Sequence, residues 1–146
     1  MKTLTKTHQR KINDKLDLIG RYYSELMEDL PSEEEFIRDR LPRRSIEKTV
    51  EFIADAIVDV AMTIISVKGF EKPIEACESI TVLEIKDVLS PELSAKIKNL
   101  IKFRNLLVHQ YAKIDQKREY HGILENHEDI IDFVKEIEEF VKKSAA

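Results

Sequence analysis

The stretch SIEKTVEFIADAIVDVAMTIISVK, residues 45–68, decides the fold. Its apolar residues recur every three or four positions, which places them along one face of a long helix. That face consists of Ile46, Val50, Ile53, Ile57, Val60 and Ile64. Gly69 follows directly, and glycine readily adopts the left-handed conformation that ends a helix. The stretch therefore predicts a long amphipathic helix that packs into a helical core.

Helical periodicity continues on both sides of this stretch. We predict further helices over residues 7–28, 32–40, 73–86, 91–109, 115–124 and 128–143, with Pro42 stopping the second of them. The three glycines and four prolines are few for a β-protein, which needs turns. A chain of 146 residues is typical of one domain. The sequence thus predicts a single all-α domain over residues 1–146, folded as an antiparallel bundle of four to five helices.

The amino-acid composition excludes several classes of protein. The net charge is −4 with 36% charged residues, which argues against attraction of the whole protein to nucleic acid. No N-terminal signal pattern is present, and no apolar run approaches the ~20 residues that span a bilayer. The lone Cys77 excludes an intramolecular disulfide framework. We therefore expect a cytoplasmic protein that does not enter a membrane.

The charge is distributed unevenly along the chain. Between residues 93 and 118 the only acidic residue is Asp115, whereas seven residues are basic. These are Lys96, Lys98, Lys102, Arg104, Lys113, Lys117 and Arg118. Such local positive potential suits a site that grips an RNA backbone, with Lys98, Lys102 and Lys113 as the predicted contacts. The alternative is that these lysines only solvate an exposed helical face.

The basic segment contains the stretch FRNLLVHQY, residues 103–111. The guanidinium of Arg104 is a rigid fork of donors that matches a phosphate. The imidazole of His109 can take or give a proton near neutral pH. Together they suit RNA cleavage, in which a base removes the 2′-hydroxyl proton and a cation stabilises the charge on the phosphate.

Helix geometry limits how these side chains meet. On a straight helix His109 lies roughly 140° from Arg104, whereas Tyr111 returns to within about 20° of it. Asn105 and His109 are four positions apart and share a face. Either the helix breaks near His109, or two chains assemble the site around a two-fold axis.

The pattern Arg104-x4-His109-x-Tyr111, preceded by an aromatic residue, resembles the R-x4-6-H signature of the HEPN superfamily. It is most similar to the HepT toxin family, and the similarity covers most of the chain. That family has an acidic residue on the long second helix, which D-V-A at residues 59–61 matches. Thr63 stands where the family commonly has a histidine.

The resemblance implies a homodimeric, metal-independent endoribonuclease with no cofactor. Arg104 and His109 would be catalytic, and Asn105 and Asp59 would support them. A nucleotidyltransferase antitoxin of the MNT type would neutralise the toxin by attaching AMP to Tyr111, as in a type VII toxin–antitoxin system. The alternative is a non-catalytic helical module that binds nucleotide or protein and assists a minimal nucleotidyltransferase.

Two carboxylates are candidates to pair with Arg104. Asp55 and Asp59 are four positions apart on the long helix, so both lie on one face. Such a pair could also hold a metal ion. No histidine lies beside them in the sequence, so we predict no metal site.

Overall fold

The computed structural model describes residues 3–145, which form seven α-helices and one 3₁₀ turn. The helices are α1 (Lys6–Asp29), α2 (Glu33–Arg38), α3 (Arg40–Lys68), α4 (Ala76–Ile85), α5 (Pro91–His109), α6 (Gln116–Asn126) and α7 (Glu128–Lys143). The 3₁₀ turn, Tyr111–Lys113, joins α5 to α6. No helix within residues 3–145 combines the length and the apolar character that a membrane crossing requires.

The four longest helices form a closed ring in which α1 contacts α3, α3 contacts α5, α5 contacts α7, and α7 contacts α1. Neighbours in the ring run in opposite directions. For example, Leu4 before α1 bonds Ser144 after α7. Ser90 before α5 bonds Glu136 in the middle of α7, whereas Lys96 further along α5 pairs with Asp129 at the start of α7. The shorter α2 packs on α3 and α6, and α4 packs on α3 and α5. The predicted antiparallel helical bundle is confirmed.

The apolar face of α3 lies at the centre of the bundle. All six residues of the predicted stripe are buried. Burying one such aliphatic side chain contributes about 1.5–3 kcal/mol before entropy is counted. Gly69 caps α3 with φ 70°, and its N–H donates to the carbonyls of Ile65 and Ser66. This C-cap was predicted and is confirmed.

Two predicted helix starts were wrong. Helix α3 begins at Arg40 rather than Ser45, so Pro42 lies in its first turn and does not stop the preceding helix. The first-turn N–H groups have no partner inside a helix, so a proline costs little there. Helix α4 begins at Ala76 rather than Pro73, and in the turn before it the N–H of Ile74 donates to the Glu78 carboxylate.

Candidate active site

Arg104 lies on α5 with 30% of its side chain exposed. Its Nε donates to Oδ1 of Asp55 at 2.9 Å, and its Nη1 donates to Oδ1 of Asn105 at 3.1 Å. Of the two acids that the sequence offered as partners, the structure selects Asp55. Within residues 3–145 the Nη2 atom makes no hydrogen bond, so the guanidinium is oriented but keeps a donor for a ligand.

Asp59, one turn further along α3, is engaged elsewhere. Its Oδ2 accepts a hydrogen bond from Nζ of Lys15 on α1 at 2.6 Å. Asp59 therefore joins α3 to α1 and is not among the contacts of Arg104. Thr63 donates to the backbone carbonyl of Asp59 at 2.8 Å, which is a bond within the helix. Residues 3–145 bring together no group of three His, Cys, Asp or Glu side chains that could hold a metal ion.

His109 is the last residue of α5 and is exposed to solvent. Helix α5 is unbroken from Pro91 to His109, so the break that would have brought His109 round to Arg104 is absent from α5. The two side chains leave the helix roughly 140° apart. Asn105 lies one turn before His109 on the same face and bonds Arg104, so it lies between the two groups.

The prediction that Tyr111 continues the helix and lies within about 20° of Arg104 around its axis was wrong. Helix α5 ends at His109, because Gln110 has φ −140° and ψ 43°, and Tyr111 begins the 3₁₀ turn. The Tyr111 hydroxyl reaches α3, where it donates to Glu47, with Oε1 at 2.8 Å and Oε2 at 3.0 Å. Glu47 and Asp55 are eight residues apart on α3, so the hydroxyl and the guanidinium are anchored about 12 Å apart along that helix.

The surroundings of Tyr111 contain charged residues that sequence reasoning missed. The guanidinium of Arg44 lies over the Tyr111 ring, 4.5 Å from its centroid. Glu47 is buried beside a second buried acid, Glu119 of α6. Burial, followed by the neighbouring Glu47, raises the pKa of Glu119 to about 9. Arg43 and Arg44 oppose this shift, but Glu119 keeps its proton at neutral pH.

Of these residues, only Glu47 could have been identified from the sequence. Glu47 lies seven residues before Ala54, which is nearly two turns, and Ala54 is buried. A carboxylate on the buried face of α3 is a signal that a partner approaches it. Glu119 gave no such signal, because only the packing of α6 against the rest of the bundle buries it.

The predicted RNA-contacting lysines differ in their surroundings. Lys98 is partly buried, and its Nζ lies 3.9 Å from Oε1 of Glu84. Lys102 and Lys113 are exposed. Lys113 also lines a cavity of about 490 Å³ between α5, α6 and α7, whose walls include Leu100 and Phe103. Arg104, His109 and Tyr111 do not line this cavity.

An oriented arginine and an exposed histidine thus lie on one helix of an antiparallel helical ring. The sequence model of the family described as Ribonuclease HepT-like matches residues 12–137. The chain therefore belongs to the HepT-like ribonuclease family. This confirms both the resemblance seen in the sequence and the predicted enzyme class, a HEPN-type ribonuclease.

Individual relatives agree with this membership. The tRNA nuclease HepT of Aphanizomenon flos-aquae (strain 2012/KM1/D3) is 28% identical over 113 residues, which are 77% of each chain. A tri-AMPylated HEPN toxin of Shewanella oneidensis, solved in complex with an MNT antitoxin, superposes with a TM-score of 0.83 at 22% identity, over 88% of this chain and 96% of that one. YutE of Bacillus subtilis, a cytosolic protein of unknown function, superposes with a TM-score of 0.80 at 18% identity, over 97% of this chain and 94% of that one. These two structures share the fold.

Proposed function

We propose that this protein is the toxin of a type VII toxin–antitoxin pair, an endoribonuclease that cleaves RNA without a metal ion. The observation that carries the proposal is the setting of Arg104. Asp55 and Asn105 fix its guanidinium on a helix that ends at His109, and a donor remains for a phosphate. Membership of a ribonuclease family supports an assignment of these groups to phosphodiester cleavage.

The chemistry follows from the two side chains. The imidazole of His109 takes the proton of the 2′-hydroxyl, and the 2′-oxygen then attacks the adjacent phosphorus. The bond from phosphorus to the 5′-oxygen breaks, the departing oxygen takes a proton from solvent water, and a 2′,3′-cyclic phosphate remains. Arg104 stabilises the extra negative charge on the five-coordinate phosphorus. The attacking oxygen belongs to the RNA itself, so this route requires no metal-bound water.

The active form is a homodimer. A single α5 directs Arg104 and His109 roughly 140° apart, so one copy does not bring both to one phosphate. In our proposal a two-fold axis pairs Arg104 of one protomer with His109 of the other. Exposed apolar side chains on the two helices that carry the site support such an interface. Phe52 on α3 is 42% exposed, and Val108 on α5 is 44% exposed.

A nucleotidyltransferase antitoxin of the MNT type, encoded beside the toxin, would silence it by transferring AMP to Tyr111. The S. oneidensis toxin, which shares the fold, is AMPylated and bound to such an antitoxin. An adduct on Tyr111 would place a phosphodiester beside Arg44, about 12 Å along α3 from the anchor of Arg104. Its charge would repel the RNA backbone and its bulk would obstruct access. Lys102 and Lys113 are the exposed cations that we assign to RNA binding, and we place the protein in the cytoplasm.

Cleavage of RNA in a chelating buffer tests this proposal. Purified wild type, His109→Ala and Arg104→Ala are incubated with labelled transfer RNA in excess EDTA. We expect the wild type to cleave and each variant to lose about 100-fold or more in rate. Asp59→Ala is the matched control, because it removes a carboxylate from α3 without touching Arg104. Equal cleavage by the wild type and the His109 variant, or a harmless dimer that only binds nucleotide, would contradict the proposal.

A further inference from the structure

The Tyr111 hydroxyl is held by a buried carboxylate. It donates to Glu47, whose side chain is only 5% exposed, at 2.8 Å from Oε1 and 3.0 Å from Oε2. Arg44 covers the ring and also lies 3.9 Å from Oε1 of Glu47. The phenol is thus fixed at both its ring and its oxygen. Such an arrangement selects one direction for the phenolic proton, which is toward Glu47.

A second buried acid, Glu119, lies beside Glu47 and makes no hydrogen bond to Tyr111 within residues 3–145. Glu119 is 6% exposed, and neither of its carboxyl oxygens is hydrogen-bonded to another described group. It carries its proton at neutral pH, since burial and Glu47 raise its pKa to about 9. The Tyr111 hydroxyl already donates to both carboxyl oxygens of Glu47, so Glu47 is the carboxyl group placed to receive the phenolic proton. Arg43 and Arg44 also act on Glu119, and Glu51 acts on Arg44.

We propose that Glu47 orients the Tyr111 hydroxyl and accepts its proton when that oxygen attacks a nucleotide, so that this chain supplies the general base for its own modification. The inference rests on the proposed modification of Tyr111. A bond forms between the phenolic oxygen and the α-phosphorus of a nucleoside triphosphate held by the nucleotidyltransferase. The bond from that phosphorus to the bridging oxygen breaks, pyrophosphate leaves, and the phenolic proton passes to Glu47.

The charges balance after the transfer. The modified oxygen has no proton left to donate, so an ionised Glu47 would face the new phosphodiester without a hydrogen bond. The proton received from Tyr111 removes that buried charge, and both acids are then neutral. Arg44 already lies over the ring, so it can pair with the new negative charge. The pocket that activates the tyrosine therefore also accommodates the modified product.

Transfer of label from α-³²P-ATP tests the role of Glu47. The full-length protein is incubated with the nucleotidyltransferase encoded beside it, and label on the toxin is measured against ATP concentration and pH. For Glu47→Gln we expect kcat to fall about 100-fold with the KM for ATP unchanged, because an amide orients the phenol but accepts no proton. The decline in rate on acidification, which reports an ionised base, should disappear in this variant.

Glu119→Gln is the matched control. It replaces a buried, already protonated carboxyl group by an amide of nearly the same shape, so transfer should stay within about threefold of the wild type. If Glu47→Gln does not fold by circular dichroism, Glu47→Asp replaces it, and we expect slower transfer that keeps the decline at acid pH. Wild-type transfer by Glu47→Gln overturns this inference alone. An unlabelled wild type, or equal labelling of Tyr111→Phe, overturns the modification itself and the inference with it.

Discussion

Replacing Glu119 by glutamine should flatten the pH dependence of folding. Burial, then the adjacent Glu47, raises the pKa of Glu119 from 4.5 to about 9. The folded protein therefore holds a proton that the unfolded chain releases above its own pKa of 4.5. The contribution to stability is complete below that pKa and is lost as the pH rises toward about 9. One proton corresponds to about 1.4 kcal/mol of unfolding free energy for each pH unit.

The effect is large enough to measure by urea unfolding. From about pH 5.5 to about pH 7.5, the wild type should lose roughly 3 kcal/mol relative to Glu119→Gln, since the amide has no proton to release. Both proteins are unfolded at one fixed concentration and followed by circular dichroism. Other titrating groups are common to both, so they cancel in the difference. Parallel pH dependences would refute the argument, because they would mean that the buried pair holds no extra proton.

Three further substitutions test separate contacts. Asp55→Ala should slow RNA cleavage about 10- to 100-fold, because the catalytic guanidinium loses its orientation, whereas Asp59→Ala stays near wild type in the same initial-rate assay. Arg43→Met should lower the unfolding free energy by about 2 kcal/mol in urea, because the buried Nη1 donates to two backbone carbonyls of α2. Ser90→Ala should cost about 1–2 kcal/mol and lower the Tm, because it removes the N-cap of α5 and a bond to Glu136. A wild-type rate for Asp55→Ala, or wild-type stability for Arg43→Met or Ser90→Ala, would contradict the corresponding assignment.

Structural features that depend on residues close together in the sequence could be predicted. The apolar stripe of α3 and the C-cap at Gly69 are both present in the structure. Each depends on residues within a turn or two of one another, so spacing and residue type suffice. The start of α3 was missed because Pro42 is compatible with both the end of one helix and the first turn of the next.

The site was predictable only in part. Arg104, His109 and their spacing can be identified in one stretch, but the choice between Asp55 and Asp59 depends on how α3 is aligned with α5 and α1. The position of Tyr111 depends on the end of α5 at Gln110, which is neither glycine nor proline and gives no signal. The buried acids near Tyr111 meet from helices α3 and α6, which are distant in sequence. Such contacts are products of tertiary packing.

The central claim is that Arg104 of one protomer and His109 of the other act on the same phosphate. Mixed dimers of Arg104→Ala and His109→Ala chains test it most directly. Two differently tagged chains are co-expressed, and the mixed dimer is isolated through both tags. If the site is shared between protomers, one of its two sites is intact, and cleavage should recover to about half of the wild-type rate. If both residues act within one protomer, each site lacks a group and the mixed dimer stays inactive, which would contradict the account.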